Sequence, residues 1–147
     1  MAGFSPLRSN VIEEDIDLPI SSLTLAIGDL LELDVGATTW TEGTSATEHW
    51  QQKAVCTESA TTADSFVKAR VISTIGQLFE VESANDSDTA DNGDRMLLTD
   101  KNTVNNTGTD NTSEEACFVQ RGIIGAVGDK RIYGYIVPGT GINPDAA

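Results

Sequence analysis

The sequence predicts an all-β domain, either a small β-barrel or a sandwich, with an extended N-terminal arm and long polar loops. Apolar and polar residues alternate in several short segments, which is the period of a half-buried strand. Glycines and prolines separate these segments, and no long stretch shows a helical period. The length of 147 residues suits one domain with its own core. We expect an arm over residues 1–20, a single β-rich domain over 21–138 and a C-terminal tail over 139–147.

The N-terminal arm differs from the rest of the chain in its pattern. Apolar residues are scattered over residues 1–20 with neither a helical nor a strand period. Pro6 and Pro19 favour an extended conformation and limit any helix to the acidic stretch between them. The segment is either a frayed tail or an arm that lies against another surface, and its many large apolar residues favour the arm.

Two hairpins are predicted in the first half of the domain. Residues 22–27 and 31–35 both alternate, and Gly28-Asp29 between them favours a tight turn. Residues 66–73 and 79–82 form the second pair, with valine, alanine and phenylalanine on the inward row. The bases on the outward row of its first strand are then expected to face the acids of its second strand.

One segment of the first half fits two patterns. Residues 45–48 match a capping box that would begin a helix. Residues 50–56 also alternate as a strand would, and we favour the strand because the neighbouring segments are all β.

The second half begins with a long polar region and ends with strong strands. Residues 84–114 are rich in Asn, Asp, Thr, Ser and Gly, and only residues 96–98 interrupt them as a short predicted strand. Residues 116–124 and 131–137 are predicted strands joined by a glycine-containing turn. Both faces of the last strand are apolar, which indicates a central strand covered on both sides.

The charge of the chain excludes several classes of partner. Twenty-three acids against nine bases give a formal charge of −14, so nucleic acid would be repelled and anionic membrane surfaces are disfavoured. No apolar run is long enough to cross a bilayer, and the chain opens without a secretory signal. We therefore expect no nucleic-acid or membrane partner and a protein made in the cytoplasm.

The sequence carries no recognisable catalytic or metal-binding pattern. His49 is the only histidine, and no nucleophile lies in a Gly-x-Ser-x-Gly context. One histidine and two distant cysteines lack every usual zinc spacing, and residues 86–94 fail the EF-hand pattern. We predict no enzyme activity, no catalytic residue, no metal and no cofactor.

The two cysteines and two tryptophans each leave two interpretations open. Cys56 and Cys117 are either buried thiols, which a reducing cytoplasm favours, or a disulfide that closes a long loop. Trp40 and Trp50 lie near a threonine-rich loop. Each is either a core residue or an aromatic that contacts a partner or stacks on a sugar.

Four segments of the second half resemble a known family. Residues 95–100 and 118–125, the Asn/Thr/Gly/Asp-rich run to Asn111, and residues 132–137 are similar in style and order to the capsid decoration (cement) proteins of tailed bacteriophages. The opening Met-Ala-Gly-Phe-Ser-Pro also resembles the extended N-terminus that these proteins lay on the shell.

The resemblance implies a structural virion protein that binds the outside of the capsid and stabilises the mature head. Its implied partners are the major capsid protein and further copies of itself, as a homotrimer, and its implied location is the capsid exterior. The arm residues expected to contact the capsid are Phe4, Pro6, Leu7, Val11 and Ile12. The alternative function is a carbohydrate- or receptor-binding β module on a virion or cell surface, with Trp40 or Trp50 as its platform.

Overall fold

The computed structural model describes residues 3–7, 14–106 and 114–144, and this part of the chain is almost entirely β. It contains a single 3₁₀ turn at Thr89–Asp91. Its strands are β1 (Ser5–Pro6), β2 (Asp15–Pro19), β3 (Leu30–Leu33), β4 (Thr41–Glu42), β5 (Gln52–Cys56), β6 (Phe66–Val71), β7 (Leu78–Ser83), β8 (Arg95–Asp100), β9 (Thr103–Asn105), β10 (Phe118–Ile123) and β11 (Arg131–Ile136). The predicted all-β class is confirmed. No helix in these ranges has the length and apolar character needed to cross a membrane.

Six of the strands form one sheet in the order β1-β7-β11-β10-β8-β9. A parallel pairing of β9 with β7, through Glu82–Thr103 and Ser83–Val104, joins the far end of this sheet back to β7. Five of the strands therefore close into a ring, which we call the barrel, and β1 is attached along β7.

The other five strands form a second, antiparallel sheet in the order β2-β6-β5-β3-β4. Its outer strands approach each other at one bridge, between Ile20 and Trp40. There the Trp40 N–H donates to the Pro19 carbonyl at 2.8 Å. This sheet is therefore strongly curled.

Strands β3 and β5 lie between two hydrophobic cores. Leu30 and Val55 pack into the core of the barrel, whereas Leu31 and Ala54 pack into the core of the five-stranded sheet. Successive side chains of a strand point to opposite faces, so both faces of these two strands are buried. The two sheets thus share a continuous packed interface.

The first predicted hairpin is wrong. Residues 22–27 form no strand, and Leu25 makes only an isolated bridge to Ala60. Gly28 has φ of 94°, its N–H donates to the Cys56 carbonyl and its own carbonyl accepts from the Phe4 N–H. The backbone groups of Gly28 thus form hydrogen bonds with distant segments and not across a hairpin turn. Strand β3 pairs with β4 and β5 instead.

The second predicted hairpin has correct strands and a wrong pairing. The inward rows of β6 and β7 are buried as predicted, but the two strands belong to different sheets. The Gln77 carboxamide accepts from two N–H groups of the turn between them, which leads the chain from one sheet to the other. Lys68 and Arg70 consequently pair with Asp17 and Asp15 of β2.

The remaining strand predictions are largely confirmed. Strand β5 replaces the alternative helix, β8 contains the short strand at residues 96–98, and β10 pairs with β11 through a bulge at Arg121. Strand β11 is central in its sheet, between β7 and β10, but Tyr133 and Tyr135 on its outer face are only half-buried. The prediction that both of its faces are covered is therefore wrong.

Both chain ends lie against the body where they are described. The N-terminal residues run extended, as predicted, but β1 pairs with β7 and β2 pairs with β6. The predicted C-terminal tail is also packed at Gly139, where a Cβ would overlap the Gln51 carbonyl. Only glycine permits that approach.

Candidate functional site: an apolar groove beside the N-terminal strand

An apolar groove of about 300 Å³ lies where β1 meets the five-stranded sheet, and we call it the N-terminal groove. One wall is the N-terminal segment from Phe4 to Pro6, backed by Phe79 of β7. The other wall comes from Ile27 and from the adjoining parts of β5 and β6. The groove therefore has walls from both sheets.

Phe4 fixes the N-terminal wall of the groove from inside the core. Its ring is 1% exposed, with its centroid 6.4 Å from that of Phe79 and 6.0 Å from that of Phe118. Gly3, at φ of 95°, lets the backbone pass so close to Gly28 that a Cβ would lie 3.1 Å from it. The prediction that Phe4 contacts a capsid is therefore wrong in this fold, because its side chain is a core residue.

The other described residues that were predicted to contact the capsid are less buried than Phe4. Pro6 is exposed and Leu7 is half-buried, at the end of β1. Val11 and Ile12 lie outside the described residues. Ile27, which ends the predicted strand over residues 22–27, is 59% exposed at the rim of the groove.

The wall of the groove carries one unused polar atom. The Ser5 Oγ is buried and has no hydrogen-bond partner among the residues that the structure describes. A buried polar group left without a partner costs about 1–3 kcal/mol. The groove thus offers mainly apolar surface, with this buried hydroxyl inside its wall.

The charges near the groove are compensated. Arg70 in its wall pairs with Asp15 at 3.2 Å. Glu80, opposite Ser5 in the β1–β7 ladder, accepts from Arg131 at 2.6 Å. An apolar partner can approach this face without stripping water from an uncompensated charge.

An acidic loop follows β7, at the end of the strand that is farther from the groove. The groove contains Phe79 near the start of β7, whereas Asp88, Asp91 and Asp94 follow its end. Burial, together with Asp94 and Asp88, raises the pKa of Asp91. A six-residue strand is roughly 20 Å long, so the apolar groove and the acidic loop lie at opposite ends of β7.

A buried lysine ties the two sheets together. Lys53 of β5 is 0% exposed, and its ammonium donates to the carbonyls of His49 at 2.9 Å, Gln51 at 2.8 Å and Val137 at 2.9 Å. Val137 follows β11 of the barrel, so the contact crosses between the sheets. Burial lowers the pKa of Lys53 to about 8, against the opposing effect of nearby Glu32.

The two tryptophans are core residues. Trp40 is 6% exposed and Trp50 is 7% exposed. Trp40 belongs to the core of the five-stranded sheet. The interpretation of either ring as a partner-contacting or sugar-stacking surface is therefore wrong.

The two cysteines are free and buried, so the disulfide alternative is wrong. Burial raises the pKa of Cys56 to about 12 and that of Cys117 to about 11. Both thiols therefore stay protonated near neutral pH and act as small apolar side chains. Within residues 3–7, 14–106 and 114–144, no group of three or more His, Cys, Asp or Glu residues is arranged to hold a metal ion.

Comparisons of the chain with models of protein families, with curated proteins and with solved structures found no match.

Proposed function

We propose that this chain is a structural virion protein that binds the outer surface of a tailed-phage capsid and stabilises the mature head. The likeness of residues 95–100, 118–125 and 132–137 to decoration proteins supports this proposal. A compact β body with two joined cores suits a protein that acts by adhesion. Its partners are the major capsid protein and further copies of the chain as a homotrimer.

The observation that carries the proposal is the N-terminal groove. Protein interfaces gain affinity where apolar side chains leave water at a central, well-packed patch. Here exposed Ile27 and Pro6 flank an apolar depression whose neighbouring charges are paired. Pro6, Leu7 and Ile27 are the proposed contact residues, and Phe4 supports them from the core.

The charge distribution favours one orientation of the bound protein. With the groove against the shell, the acidic loop at the other end of β7 faces solvent. The negative charge then keeps free subunits soluble and apart until they dock. Many copies on one lattice also bind more tightly than one contact would, through multivalency.

The matched pair Ile27→Glu and Val127→Glu tests the docking face. Both residues are exposed and β-branched, Ile27 at 59% and Val127 at 62%. Val127, however, lies in the turn beside the acidic loop. Binding is measured by sedimentation with purified mature heads of the phage that encodes the chain. We expect Ile27→Glu to weaken binding at least tenfold, because docking would bury its charge, and Val127→Glu to bind normally.

Circular dichroism melts confirm that both variants fold. Equal binding by the two variants would exclude the N-terminal groove as the docking face. No binding of the unmodified protein to heads would refute the proposed function itself. Both rings that would have formed the platform of a carbohydrate-binding module are buried, which argues against that alternative function.

A further inference from the structure

Strand β2 has one edge that is paired and one edge that is open. The Ile20 N–H donates to Ser65 on the β6 side, whereas the Pro19 carbonyl accepts from Trp40 on the other side. Backbone groups of successive residues in an antiparallel ladder point alternately to the two sides. The N–H and C=O groups of Asp15 and Asp17 therefore point away from β6, and no described backbone group pairs with them there.

The side chains at this open edge form an acid–apolar–acid pattern. On one face, Asp15 lies 3.2 Å from the Arg70 Nε and Asp17 lies 3.5 Å from the Lys68 Nζ. The two carboxylates remain exposed, at 32% and 64%. Between them Ile16 points to the other face, in the same row as buried Leu18, and is 45% exposed.

An edge of this kind is a template for another strand. Natural sheets usually protect such an edge with lysine, proline or a covering loop. Pro19 protects only its last position, and its carbonyl is already used by Trp40. Strand addition supplies affinity through main-chain hydrogen bonds and specificity through alternate side chains.

We propose that the open edge of β2 binds an extended segment of a partner protein, with basic residues at two alternate positions and an apolar residue between them. The basic side chains would lie beside Asp15 and Asp17. Each of these acids would then have a basic neighbour on both sides, one from the partner and one from β6. The apolar side chain would cover Ile16. Opposite charges on neighbouring strands stabilise a sheet, and like charges destabilise it.

Charge complementarity favours such a partner over a second copy of this chain. Pairing β2 with another β2 would place carboxylates beside carboxylates on two proteins that each carry a charge of −14. The segment that precedes β2 offers one base, Arg8, followed by Glu13 and Glu14. A basic segment is instead attracted by the field of the whole protein.

The test uses the full chain and the synthetic peptide acetyl-Thr-Lys-Val-Lys-Val-Lys-Thr-amide, followed by amide NMR shifts and hydrogen exchange. We expect the Asp15 and Asp17 amides to shift and to exchange more slowly. Asp17→Pro removes an outward N–H without touching the β6 ladder, as Pro19 already does, and should weaken binding at least tenfold. Asp17→Asn keeps the backbone donor and should weaken binding several-fold, as should 0.5 M salt.

Two controls separate strand addition from general attraction to an acidic protein. A peptide with glutamate in place of lysine should not bind. Asp86→Asn removes one charge from the loop after β7, outside the sheet that contains β2, and should bind like the unmodified protein. Shifts that map away from β2, equal binding by Asp17→Pro, or self-association through this edge would each overturn the proposal. The peptide experiment is independent of head binding, so its failure leaves the capsid proposal to its own test.

Discussion

Replacing Lys53 by methionine tests how the two sheets are held together. Methionine keeps the length and most of the volume of the side chain but removes the ammonium that reaches three carbonyls. Hydrogen bonds from a charged donor stabilise by about 2 kcal/mol each, or about 6 kcal/mol in total. This gain is offset by the cost of burying the charge.

The lowered pKa gives the size of that offset. A fall from 10.5 to about 8 means that keeping the buried ammonium charged costs about 3 kcal/mol. Methionine removes this cost but leaves the carbonyls of His49, Gln51 and Val137 without this donor, at about 2 kcal/mol each, so the expected net loss of unfolding free energy in Lys53→Met is about 3 kcal/mol. For a chain of this length that corresponds to a Tm lower by roughly 6–12 °C.

The assay is thermal and urea unfolding followed by tryptophan fluorescence, which reports on the buried Trp40 and Trp50. Lys68→Met is the matched control, because Lys68 is exposed and forms one surface ion pair. We expect the control to change stability by less than about 1 kcal/mol. Buried charges can sometimes be replaced by apolar residues without loss. Equal or higher stability of Lys53→Met would therefore refute the role of Lys53 as a tie between the sheets.

Three further outcomes follow from the same structure. Because the pKa of Lys53 is lower in the folded protein than in the unfolded chain, its contribution to stability should rise from about pH 8 to about pH 10.5, and the rise between pH 8 and 9 should be absent in Lys53→Met. Gly139→Ala should lower stability by about 2 kcal/mol or more through backbone overlap, whereas Gly36→Ala, with open space and only a positive φ, should cost about 1 kcal/mol; urea unfolding measures both. Cys56 and Cys117 should resist iodoacetamide in the native state and react once urea unfolds the protein, as mass spectrometry would show; rapid native labelling would contradict their burial.

Alternation in the sequence identified strands well and pairings poorly. The buried faces of β6 and β7 can be predicted from the residues of each strand alone, because a strand with one buried face shows an apolar residue at every second position. Their partners depend on distant segments instead. The chain between these strands turns away because Gln77 binds the turn N–H groups, and no local pattern reveals that contact.

The candidate site likewise combines features that local sequence reveals with features that depend on distant contacts. Pro6 and Leu7 could be selected from sequence as apolar residues near a terminus, but the packing of Phe4 into the core depends on its contacts with Phe79 and Phe118. Ile27 alternates like an inward residue and is exposed because residues 22–27 form no strand. Lys53 lies in the same strand row as buried Val55, which was the only sequence signal of its burial.

The proposal that a tailed phage encodes this protein as a head component is tested most directly by cryo-electron microscopy of that phage's purified heads, with and without the protein. The proposed function requires density for the two-sheet body at regular positions on the outer surface, with the N-terminal groove toward the shell and the acidic loop toward solvent. Heads without the protein should lack this density and should release their DNA at a lower temperature. Identical smooth heads in both samples, with the protein absent from purified particles, would contradict the account.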